Sequence, residues 1–267
     1  MFRRISRAPK SERSFLAWLG LLLMAISFVW LQVTAVPRSL TQLEAPPPPH
    51  APFAIVVIDA GHGGQDSGTI KSGLVEKELA LDVARRVERH LQSLGLVTVT
   101  TRAGDNYVSL QDRATIANNQ PESVFVSIHF DEGGRSAATG IETYYAAHPI
   151  SFPERVASWL PFLRRTSSEP PNVESQSLAT FIQESAIART LAINRGTRPQ
   201  QFYVIANVHH PAVLVEGGFL TNKEDANKLA NAEYREQMAA GIAQGILQYR
   251  DTLLDKRTPL AVDLPAQ

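Results

Sequence analysis

Apolar positions along the chain follow two rhythms. Ile55-Val56-Val57-Ile58 is a continuous β-branched run, which predicts a strand buried on both faces. Residues 97–101, 124–128, 142–145, 202–205 and 212–215 read the same way. Between these runs the spacing becomes helical. Ala80, Val83, Ala84, Val87, Leu91 and Leu94 fall on one face of a helix predicted over 77–94, and further helices are predicted over 110–117, 178–193 and 233–249. Strands alternating with helices of this length imply an α/β fold, with a mainly parallel sheet flanked by helices on both faces and a single catalytic-sized domain. Residues 148–177 break the rhythm and read as an insertion, with apolar turns around Trp159 and Leu163 and then Pro170-Pro171. Its cluster of Trp159, Leu160, Phe162 and Leu163 is expected either to cover a neighbouring surface, such as a groove, a partner or a membrane, or to complete the core against the 178–193 helix.

The N-terminus has a different pattern. Phe15 to Val36 is an apolar stretch of 22 residues with no charge, and Arg3, Arg4, Arg7, Lys10 and Arg13 against Glu12 place a net +4 before it. That length suits a spanning helix, while Val33-Thr34-Ala35 offers the small-residue spacing of a signal-peptidase site. Residues 1–36 are therefore expected to be a signal peptide or a membrane anchor, with the rest of the chain outside the cytoplasmic membrane. Residues 37–54 contain Pro37, four prolines at 46–49 and Pro52, a composition that favours an extended tether. The folded body is expected over 55–250, followed by a C-terminal tail over 251–267.

Charge and composition narrow the chemistry. The 267 residues carry 26 basic and 26 acidic side chains, so once the N-terminal cations are set aside 21 basic face 25 acidic residues. A mildly acidic body argues against nucleic acid as a partner, because phosphate neutralisation needs clustered Lys and Arg. The chain has no cysteine, so any metal must be held by histidines and carboxylates.

In open α/β sheets the site lies beyond the carboxyl ends of the strands. Three strands end in ionisable residues there: Asp59-Ala60-Gly61-His62-Gly63-Gly64, Ser127-Ile128-His129-Phe130-Asp131 and Val215-Glu216-Gly217-Gly218-Phe219. Glu76 opens the first helix on the same face as Ala80, Val83 and Val87, so it points inward, whereas Glu78 points to water. An inward carboxylate needs a partner. His62, His129 and a divalent cation would supply one, leaving a tetrahedral zinc its fourth position open and Glu216 free for proton transfer. The competing reading is that the two histidines cap strand ends, Glu76 serves the helix dipole and Glu216 is paired elsewhere. Arg102, Asp105 and Arg113 form either a charged rim or an exposed ion network, and His209 and His210 read as solvated.

Together, Ile58 to Gly64, Glu76-Lys77, Thr101-Arg102, Ser127-Ile128-His129 and Ala212 to Asn222 resemble, in order and spacing, the zinc-dependent N-acetylmuramoyl-L-alanine amidases of bacterial cell walls. The match covers roughly residues 55–250. The resemblance implies one Zn2+ held by His62, Glu76 and His129, with Glu216 as the catalytic carboxylate. It implies hydrolysis of the amide between N-acetylmuramic acid and L-alanine in peptidoglycan, in the periplasm or cell wall. Alternatives are a zinc peptidase acting on the stem peptide, which would use the same four residues, and a catalytically silent wall-binding module. In the family, some members carry a covering segment where 148–177 falls, released by a regulatory activator protein. Members often have a small residue and Asn where this chain has Phe130-Asp131, a departure expected to narrow the groove or change substrate preference.

Overall fold

The computed structural model describes residues 22–24, 53–130, 138–147 and 172–255. The chain divides into two units, Met1–Pro48 and Pro49–Gln267. In the first, Leu22, Leu23 and Met24 are helical and exposed. Among the described residues no helix is long and apolar enough to cross a membrane. The rest of the 15–36 segment, most of the proline-rich stretch, the Trp159 cluster and residues 256–267 lie outside the described residues.

The second unit is built on a six-stranded sheet in the order β4-β1-β5-β8-β6-β7, where β1 is Ile55–Ala60, β4 Val97–Thr100, β5 Ser123–His129, β6 Ile141–Tyr145, β7 Asn194–Pro199 and β8 Ala212–Glu216. All neighbours are parallel except β6 against β8. A small hairpin, β2 (Ile70–Lys71) with β3 (Leu74–Val75), leads into helix α1 (Glu76–Ser93). The remaining helices are α2 (Leu110–Asn118), α3 (Val173–Thr190), α4 (Tyr203–Ala206), α5 (Lys223–Ala230) and α6 (Ala232–Asp255).

Strand alternation divides the interior into two layers. Val56, Ile58, Val126, Ile128, Val213 and Val215 face α1, α3 and α6. Val57, Phe125 and Leu214 face the opposite way, against residues of α2 and α4. The larger layer contains a close helix crossing. A Cβ at Gly245 of α6 would lie 2.5 Å from Ile182 Cα of α3, and one at Gly241 would lie 2.7 Å from Ala186 Cα. Such backbone contact leaves no volume to relax into. Gly245→Val is expected to lower stability by roughly 1–3 kcal/mol, read as a lower urea midpoint; an unchanged midpoint would show that the helices do not meet there.

Two expectations about elements are corrected and one strand was not foreseen. Residues 202–205 are not a strand: Tyr203–Ala206 is a short helix that buries Val204, Ile205 and Ala206. A four-residue apolar run carries too little period to separate the two states. β7 was not expected, because Asn-Arg-Gly-Thr-Arg-Pro is a polar edge strand without an apolar alternation. Finally, α3 begins at Val173, so residues 173–177 of the expected insertion belong to a helix capped by Asn172, whose side chain accepts from Ser175 N.

Candidate metal centre and cleft

Topology fixes where the site is. From β1 the chain crosses through α1 to β4 on one side, then through α2 to β5 on the other, so the connections diverge at the carboxyl ends of β1 and β5. A crevice at such a reversal is where open α/β sheets bind ligands. His62 follows β1 and His129 ends β5.

The ladder then aligns the chemistry. His129 is paired with Glu216 across β5 and β8, and Glu216 with Glu142 across β8 and β6. These three residues form one row on the face that carries α2 and α4. On the other side of His129 the row ends at Gly61, where a Cβ would lie 2.4 Å from the imidazole ring. Only glycine leaves the ring its place.

Glu76 reaches this row from the first turn of α1, positioned by the hairpin. Its backbone N–H donates to Thr69 O at 2.9 Å, and its Oε2 accepts from Thr69 N at 2.9 Å. Oε1 accepts from Phe130 N at 3.1 Å and lies 2.9 Å from His62 Nε2 and 3.1 Å from His129 Nδ1. One ligand-capable atom from each of His62, Glu76 and His129 lies within 4.8 Å of the other two. Burial opposes ionisation of Glu76, but the hydrogen bonds and proximity of the two imidazoles hold its carboxyl well below the usual carboxylate range. Burial likewise pulls the His62 imidazole down, yet Glu76 and Asp66 outweigh it and leave His62 raised above its ordinary value.

The donor set fits a divalent cation. Adjacent ligands of a tetrahedral zinc at bonds of about 2.0–2.1 Å stand about 3.3 Å apart, close to the separations between Glu76 and the two histidines. Two imidazoles and one carboxylate match the three-ligand pattern that leaves a fourth position open. The space is also guarded: a Cβ at Gly68, which has φ +61°, would lie 2.5 Å from Glu76 Oε2 and 2.7 Å from His62 Cδ2.

His62 itself has φ +58°, a left-handed conformation that a non-glycine residue adopts only when its surroundings enforce it. Two arginines do so. Arg113 donates to Ala60 O and His62 O, both at 2.6 Å, and Arg102 donates to Ala60 O at 2.9 Å and Gly61 O at 2.8 Å. Arg113 is also paired with Asp59, which accepts from Thr101 and Ser127. Arg102 and Arg113 are each 3% exposed, so they are neither a rim nor an exposed network but the floor beneath the His62 loop. Asp105 alone of that group is at the surface, accepting from Gly64 N and Lys77 Nζ.

The sequence pattern had not singled out Asp66, which lies 2.9 Å from His62 Nδ1 and thereby turns Nε2 toward Glu76. Carboxylates behind metal-binding imidazoles fix tautomer and ring orientation. Nor was Asp225 foreseen: it accepts from Phe219 N and Gly140 N, tying the turn after Glu216 to the start of β6. Phe130 does not narrow the groove. It is fully buried on the core side, where a Cβ at Gly217 would lie 2.6 Å from its ring. Asp131 lies outside the described residues. His209 is exposed and donates its backbone N–H to Asn118 at 2.9 Å.

A cleft of about 480 Å³ opens over the row, with His62, Glu76, His129 and Glu216 on its floor and Phe202 and Tyr203 on its wall. Glu216 is 8% exposed, so most of its side chain is turned away from bulk solvent.

Residues 56–248 match the family model described as N-acetylmuramoyl-L-alanine amidase. The amidase LytC of Bacillus subtilis strain 168 is 37% identical over 194 residues, covering 73% of this chain and 35% of the relative, so the chain spans about a third of that protein's length. A crystal structure of an N-acetylmuramoyl-L-alanine amidase from Clostridium difficile 630 superposes with a TM-score of 0.63 at 35% identity, over 75% of this chain and 98% of that one. The CwlD amidase from Clostridioides difficile, solved in complex with the GerS lipoprotein, gives a TM-score of 0.63 at 25% identity, over 74% and 99%.

Proposed function

The chain belongs to the N-acetylmuramoyl-L-alanine amidase family, and from that premise we propose that it hydrolyses the amide between N-acetylmuramic acid and L-alanine in peptidoglycan, using one Zn2+ held by His62, Glu76 and His129. The observation that carries this reading is the convergence of those three side chains beside Glu216 at the floor of one cleft.

A zinc ion in such a site supplies Lewis acidity, polarising a carbonyl oxygen and acidifying water. The protein's own groups do the rest. Asp66 and the buried arginines hold His62 in its strained turn, and the Phe130 and Thr69 amides orient Glu76. Glu216, in the same row as His129, takes a proton from the attacking water on its carboxylate and returns it to the departing alanine nitrogen, because an amine leaves poorly unless protonated. Phe202 and Tyr203 line the cleft beside this row. Asp66→Asn is expected to weaken metal binding by roughly 10- to 100-fold with the fold intact, measured by competition with a coloured chelator. An unchanged affinity would mean that Asp66 does not orient the ring.

Residues 55–250 act as the catalytic domain, tethered by 37–54 to an N-terminal export signal or anchor, so the enzyme works outside the cytoplasmic membrane. The complex of the related CwlD with a lipoprotein supports regulation by a partner protein here as well. Digestion of purified wall by the full chain tests the activity. New N-terminal alanine supports the amidase; amines exposed further along the stem indicate a peptidase; and no new ends indicate a silent wall-binding module.

A further inference from the structure

Beyond Glu216 the row continues to a second carboxylate that the proposed reaction does not use. Glu142 is directly opposite Glu216 and is 1% exposed. Two such acids side by side repel unless one is neutralised. Arg195 and Arg198, both on the edge strand β7, close on Glu142: Arg195 Nε lies 3.1 Å from Oε2 and Arg198 is paired with Oε1. Tyr144 donates to Oε2 at 3.0 Å and stacks edge-on against Phe202, the cleft-wall residue. Arg195 is further fixed over the Phe219 ring at 4.8 Å.

Arg195 and Arg198 together balance the adjacent Glu142 and Glu216 carboxylates, and Arg198, which meets Glu142 through its Nε, is the accessible one: its side chain is 57% exposed and that of Arg195 27%. Resting on the amidase reading, we infer that Arg195 and Arg198, anchored on Glu142, recognise the free carboxylate of the stem residue that follows L-alanine. Length supports this assignment. Neighbouring strands stand about 4.8 Å apart, so the guanidiniums, which reach from β7 back over β6, lie roughly 5–10 Å from Glu216. The α-carboxylate of a γ-linked D-glutamate in the second stem position lies about 7 Å from the scissile nitrogen at ordinary chain rise. The planar guanidinium is the side chain best suited to grip a carboxylate through two parallel hydrogen bonds.

Two soluble muropeptides that differ only in this group, the carboxylate and its carboxamide, test the inference on the full chain. The unmodified protein is expected to favour the acid by about tenfold in kcat/KM, with the difference carried by KM. Arg198→Gln is expected to bring the ratio of the two substrates close to one, and Arg198→Lys to keep part of the preference. A wild-type ratio near one, or an Arg198→Gln ratio equal to that of the wild type, overturns the inference and leaves the amidase assignment standing. Failure of the wild type to release alanine amine from either substrate overturns both.

Discussion

A chain carrying Glu216→Gln is expected to keep its fold and its metal and to lose at least about 10²-fold of turnover. The amide preserves the volume and hydrogen bonding of the carboxylate, so the β8 end and the turn held by Asp225 remain in place. What disappears is the ability to accept a proton. The side chain sits in the cleft beside His129, where Glu76 and Glu142 are otherwise engaged: Glu76 accepts from the Thr69 and Phe130 amides and faces both imidazoles, and Glu142 is enclosed by Arg195, Arg198 and Tyr144. Hydrolysis of a synthetic muramyl-alanine peptide, followed by amine release, measures the loss. Near-normal turnover would show that Glu216 is structural.

The second large effect is expected from His129→Ala. Removing that imidazole takes away one of the three proposed ligands and, at the same time, one of the groups that hold the Glu76 carboxyl down despite its burial. The ring packs directly over Gly61, so the variant gains a void rather than a clash and is expected to fold. Its metal content should fall from one ion per chain to near zero, and its turnover to the background of the assay. Elemental analysis of the dialysed protein reads the first effect. Stoichiometric zinc in the variant would remove His129 from the ligand set.

Much of this site was legible in the sequence because its parts are local. The apolar runs that became β1, β5 and β8 lead into His62, His129 and Glu216, and helical periodicity alone separates the inward Glu76 from the exposed Glu78. The supports are another matter. Arg102 and Arg113 look like surface cations in sequence, and their burial depends on carbonyls about 40 to 50 positions away, which only the parallel pairing of β1 with β4 and β5 brings near. β7 escaped notice for a related reason: an edge strand needs one good neighbour and no apolar face, and Arg195 and Arg198 use it as a platform for ion pairs. Asp66 left a weak local signal, four positions after His62, but it became meaningful only once the turn at Gly63 and Gly64 folded it back onto the ring. Phe130 misled because a residue beside a metal-binding histidine reads as groove-lining, whereas strand alternation sends it into the opposite layer.

The claim on which the rest depends is that His62, Glu76 and His129 hold a zinc ion. Anomalous diffraction from crystals of the zinc-loaded protein, collected on either side of the zinc absorption edge, tests it most directly. The account predicts a single strong peak per chain, about 2.0–2.2 Å from His62 Nε2, His129 Nδ1 and a Glu76 carboxylate oxygen. A peak ligated by other residues, or no peak in protein that hydrolyses wall at full rate, would contradict it.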